Sequence, residues 1–162
     1  MAEIGRMASA RNWPRVVTYL SAAGLLLLLF QYLFGLWTNV YAPAQFSSFD
    51  SGANYSPSLN VHIVNGDVLF LLSIVILVFT AFSRQVRLIA PAAVLVASIY
   101  IAGAFGMAYV NSTPNDPIYS FGMGAMYLVA LFSAGAVLMM SVRVQRAAKS
   151  ETTMPTSGSQ VT

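Results

Sequence analysis

Cysteine is absent from this chain, and histidine occurs once, as His62. Disulfides, thiolate metal sites and cysteine nucleophiles are therefore excluded, as are Cys–His pairs and multi-histidine metal sites within one copy. Charge is scarce too. Asp, Glu, Lys and Arg make up 8% of the 162 residues, against about 25% in a soluble domain whose surface must stay hydrated. No segment alternates polar and apolar residues like a barrel strand, and no glycine-rich phosphate loop follows a strand. A serine nucleophile would need a base, and His62 has no acid on its own helical face to orient it. With no catalytic constellation, the balance falls towards a non-enzymatic role.

What the chain does have is apolar length. Hydrophobic residues make up 57% of it, and the mean hydropathy is +0.70. Four runs reach the roughly 20 residues that a helix needs to cross a hydrocarbon core: 16–37, 61–82, 88–109 and 121–142. Only helices and closed barrels satisfy backbone polar groups in lipid, so these runs predict helices. The fold class expected is all-α integral membrane, an up-down bundle of four transmembrane helices. Residues 1–149 form one membrane domain, and 150–162 read as a polar, disordered cytoplasmic tail.

The basic residues predict the orientation. Arg6, Arg11 and Arg15 precede the first run, Arg84 and Arg87 separate the second from the third, and Arg143, Arg146 and Lys149 follow the fourth. Those account for all 8 Lys and Arg, so the other two connections have none. By the positive-inside rule both termini and the 83–87 turn are cytoplasmic, with 38–60 and 110–120 outside a cell membrane. The pI of about 9.5 is thus an insertion signal, not the mark of a nucleic-acid partner. A cleaved signal peptide is the competing reading of the first run; its length, and Pro43 just after a cut at Ala42, favour an uncleaved helix. Tyr41, Phe46, Phe49 and Tyr55 suggest an aromatic cap over the outer end. Asn54-Tyr-Ser56 and Asn111-Ser-Thr113 are glycosylation-type triplets on those outer connections.

Polar groups near membrane depth are costly and mark candidate sites. In helical geometry His62, Asn65, Gly66 and Leu69 share one face. Asp67, five residues from His62, is turned about 140° away, so the two are not an intrahelical pair. Asp67 reads either as an interfacial carboxylate reaching up to loop amides and water, or as an acid on a proton or cation pathway. His62 reads either as hydrogen-bonded to loop backbone, or as an axial ligand to haem b with Met123 or Met126 at the mouth of the fourth helix. Gly66 fits both a flat ring and close helix packing. Asn39, Asn65, Asp67, Asn111 and Ser120 complete a polar cluster at the outer end. The stripe Ser21, Gly24, Leu28, Gln31, Gly35 and Thr38 on the first helix reads as a packing face, with Gln31 making an interhelical hydrogen bond. Small residues on the third helix (Ser98, Ala102, Gly106) and fourth (Gly122, Gly124, Ala130, Ala134, Gly135) read the same way.

His62-Ile-Val-Asn-Gly66, with Asn39-Val-Tyr41 after the first run and Ser120-Phe-Gly-Met123 before the fourth, resembles a scattered set of short four-span membrane proteins of bacteria and archaea. More loosely, the histidine–xxx–glycine is similar to the four-helix units of haem A synthase and b-type cytochromes. That looser resemblance implies a haem- or quinone-associated redox module with His62 as ligand or hydrogen-bond donor. A haem A synthase unit also carries a second histidine and a Glu-x-x-His-Arg signature. Here Leu59-Asn60-Val61 precedes His62 and Ile63 follows, which leaves only His/Met, five-coordinate or dimer-shared ligation.

Three readings of function follow. The first is a non-enzymatic accessory subunit or partner-binding bundle, working in the lipid bilayer with other membrane subunits or as a homo-oligomer. The second is the redox module. The third is an ion or proton conductor using Asp67, which in so sparsely charged a chain would need oligomerisation.

Overall fold

A computed structural model of the chain describes the backbone of residues 2–41, 57–111 and 117–153, and side chains over 13–38, 57–111 and 117–150. The described residues form four helices and no strand: α1 (Ala2–Tyr41), α2 (Pro57–Phe82), α3 (Val86–Asn111) and α4 (Pro117–Thr153). Each contains a stretch long and apolar enough to cross a membrane. All four helices overrun the hydropathy-based spans. Loss of hydropathy marks the edge of lipid, whereas a helix ends only where backbone geometry or a breaker stops it. The expected connections 38–60 and 110–120 are accordingly shorter, because 38–41 and 57–60 are helical. The aromatic cap and Asn54 lie outside the described residues.

Side-chain contacts define the packing. Along α1, Trp13 meets Phe79 and Phe82 of α2 (ring centroids 5.3 and 6.0 Å), Gly24 faces Leu72 and Ile76, and Gln31 reaches His62. Residue numbers rise on one helix as they fall on the other, so α1 and α2 are antiparallel. Against α4, Thr18 meets Ser141 and Tyr32 stacks on Tyr127 at 5.9 Å, again antiparallel. α2 and α3 are joined by a tight turn at 83–85, where Ser83 N donates to Phe79 O (3.0 Å) and Arg84 N to Ala81 O (3.1 Å). Arg84 closes it with φ at 55°, the left-handed conformation in which helices commonly end. α3 packs on α4, and the ring closes α1–α2–α3–α4–α1.

The core explains why the ring is tight. Val17, Leu28, Leu69, Ile76, Leu95, Ala130, Ala134 and Val137 are buried at its centre. Three buried hydroxyls turn back on their own helix, Ser73 to Phe70 O (2.7 Å), Thr80 to Ile76 O (2.6 Å) and Ser98 to Leu95 O (3.0 Å), whereas Ser21 Oγ and the Tyr127 hydroxyl are buried with no partner among the described residues. The α1 packing stripe holds: Ser21, Leu28, Gln31 and Thr38 are buried. On α4, Gly122 lies so close to Phe105 of α3 that a Cβ there would sit 2.9 Å from ring carbons, whereas nothing lies within 4 Å of Gly124 or Gly135. Large apolar side chains cover the outside instead, among them Leu26, Leu33, Leu71 and Phe132. Helices that are hydrophobic all round belong in lipid.

Candidate functional site

The polar groups of the α1–α2 interface gather where the amide of Gln31 points from α1 into α2. Its Nε2 donates to the backbone carbonyl of His62 (2.9 Å). Its Oε1 accepts from Asn65 Nδ2 (2.8 Å), which also stands 3.4 Å from Leu27 O. A carbonyl only accepts, so the Gln31 amide has one orientation, with its nitrogen towards His62. That nitrogen also lies 3.3 Å from His62 Nε2. It can only donate, so a hydrogen bond at that contact requires Nε2 as the acceptor. Nδ1 is buried and has no hydrogen-bond partner among the described residues.

Two glycines make this arrangement fit. A Cβ at Gly35 would stand 3.0 Å from His62 Cε1, so the bare α1 backbone is what accommodates the imidazole. A Cβ at Gly66 would stand 3.5 Å from Gln31 Nε2. The space beside Gly66 thus goes to the amide, while the flat ring finds its room against α1. Gly35 is one turn from Gln31 on the same face. The Ser21–Thr38 periodicity is the sequence signal that contains both.

The other candidate residues separate. Met123 Sδ packs on α3, 3.3 Å from where a Gly106 Cβ would be, and Met126 is half-buried on α4. Ser120 is half-buried in the first turn of α4. Asn111 ends α3, exposed, with Nδ2 donating to Met107 O (2.8 Å). Asn39 lies in the last turn of α1, its side chain outside the described residues. Asp67 is exposed on the face of α2 turned away from the Gln31 network.

Sequence reasoning missed a second polar cluster, at the end of the bundle that carries the termini. Thr18 Oγ1 stands 2.9 Å from Pro14 O and 2.8 Å from Ser141 Oγ. Gln145 Nε2 donates to Pro14 O (3.0 Å) and to Thr18 Oγ1, and Ser141 Oγ donates to Leu138 O (2.8 Å).

The structure does not bring the expected haem-ligand pair together: Met123 Sδ packs on α3, while His62 Nε2 stands 3.3 Å from Gln31 Nε2. Further along the helices, an apolar cavity lined by Gly24, Leu28, Leu69, Ser73, Ile76 and Leu95 has a volume of about 10 Å³, room for about one water. What the fold and the site define is a polytopic membrane protein with interhelical polar contacts inside its bundle. No family model, no curated protein and no solved structure matches the chain.

Proposed function

We propose that this chain is a non-enzymatic subunit of a larger membrane assembly: a four-helix body fixed from within, which meets other membrane proteins through its outward faces. One observation carries the reading. The side-chain amides inside the bundle, Gln31, Asn65 and Gln145, join α1 to α2 and α1 to α4, while a carboxylate, Asp67, is left on the outside. Ionisable side chains at membrane depth mark function when they have no structural task. The orientation proposed has both termini and the 83–85 turn in the cytoplasm of a cell membrane, supported by the placement of all the Lys and Arg at that end.

A photo-crosslinking residue placed in turn at outward positions Leu26, Leu33, Leu71 and Phe132, in the native membrane, tests the reading. A discrete heavier adduct from at least one of these positions, and none from Ile76 in the core, is expected. The reading fails if no position gives an adduct and the purified protein shows a haem or quinone absorption band. It fails equally if the protein conducts protons in liposomes in an Asp67-dependent way.

A further inference from the structure

Asp67 is an exposed carboxylate that makes no hydrogen bond or ion pair with any described residue. It lies about 22 Å along α2 from Phe82 at 1.5 Å per residue, hence inside a hydrocarbon layer about 30 Å thick that begins at the turn. Its neighbours along the outer surface, Val64, Val68 and Leu71, are exposed and apolar. One turn deeper, Phe70 meets Tyr100 of α3 with ring centroids 6.0 Å apart, and Tyr100 is 66% exposed. The antiparallel α2–α3 hairpin sets Gly103, one turn from Tyr100, at the level of Asp67. Nothing lies within 4 Å of where a Gly103 Cβ would be. The outer surface of the hairpin therefore combines a carboxylate, a notch without a side chain and an aromatic face.

We infer that this surface docks one transmembrane helix of another protein, bearing a lysine or arginine at the depth of Asp67. The inference deepens the subunit reading above and rests on it. Charge selects the occupant. An unpaired acid within the hydrocarbon is relieved by a cation, and this chain has none to offer, because its 8 basic residues all lie at the terminal end. A second copy would bring a second carboxylate. A lipid headgroup lies above this depth. The notch at Gly103 lets a helix backbone approach closely, and the Phe70–Tyr100 pair offers its π face to the cationic side chain and its stem.

The absence of native cysteine allows one label, on Gln85→Cys, in the full chain reconstituted into phosphatidylcholine liposomes. The probe is a single-span leucine–alanine peptide with one lysine at the depth of Asp67, read by energy transfer and compared with peptides carrying leucine or glutamate there. The lysine peptide is expected to bind about tenfold more tightly than the leucine peptide. Asp67→Asn removes that difference, Asp67→Lys transfers the preference to the glutamate peptide, and Tyr100→Leu weakens binding about threefold. Equal binding of the lysine and leucine peptides overturns the inference, as does a preference that survives Asp67→Asn. Self-association of two differently labelled copies that is lost in Asp67→Asn overturns it too, by making the occupant a second copy. If the peptides bind equally while crosslinks form from α1 or α4, the docking surface is wrong and the subunit reading stands. If no outward position crosslinks and the purified protein shows a haem or quinone absorption band, the subunit reading itself has failed.

Discussion

The two ends of α1 are held by different chemistry. Near the termini, Thr18, Ser141 and Gln145 surround the carbonyl of Pro14, and each of their protons has an acceptor. Towards the other end, Gln31 binds Asn65 and the His62 carbonyl, but His62 Nδ1 is buried with no hydrogen-bond partner among the described residues. The first cluster is self-sufficient. In the second the amide does most of the holding: the histidine ring makes one long contact with it, at 3.3 Å, and is accommodated by a glycine. Buried polar clusters are stable when fully satisfied, and the orphaned member is the one that adds least.

This contrast can be broken most sharply at Gly35. With ring Cε1 3.0 Å from a would-be Cβ, Gly35→Val is expected to destabilise the fold by about 3 kcal/mol through overpacking. Most of that loss should vanish in a His62→Ala background. Unfolding in mixed detergent micelles, run as a double-mutant cycle, measures the coupling, and additive losses would show that the ring does not set the fit. Next, Gln31→Leu should cost about 2 kcal/mol, because it removes the donor to His62 O and the acceptor for Asn65 together. Thr18→Val should cost about 1 kcal/mol in the same assay, since Gln145 keeps its bond to Pro14 O. His62→Leu should be smallest, below about 0.5 kcal/mol, because the Gln31 bond to the backbone carbonyl survives and only a long 3.3 Å contact and an unpartnered ring nitrogen are lost. A His62→Leu loss exceeding that of Gln31→Leu would reverse the comparison and assign the ring a bonding role.

Much of this was legible in the residues, for reasons that differ by position. The four helices follow from apolar length, and the Ser21–Thr38 stripe from its three- and four-residue spacing. That same spacing marked Gln31 as an interhelical donor. Its partner was not legible, because the register of α1 against α2 depends on tertiary packing and not on either helix alone. The angle between Asp67 and His62 shows that they share no face, but it points the acid at another neighbour in the bundle; the structure leaves it exposed. The meeting of His62 with Met123 was argued from shared depth, but depth does not specify which neighbour a side chain faces. Met123 packs on Gly106 while His62 turns to Gln31 and Gly35. The Thr18–Ser141–Gln145 cluster escaped notice because Gln145 sits among Arg143, Arg146 and Lys149, where polarity marks the edge of lipid. Helix α4 continues past that edge and returns the side chain to α1.

That continuation bears on how the protein is made. Since the amide at 145 closes on the proline carbonyl near the start of the first helix, the ring stays open at that end until the fourth helix has left the ribosome. Until then the hydroxyl at 18 can satisfy itself only within its own turn, and the groove meant for the last helix lies bare to lipid or to any chaperone that recognises such grooves. Closure of the bundle at that end therefore waits on the fourth helix.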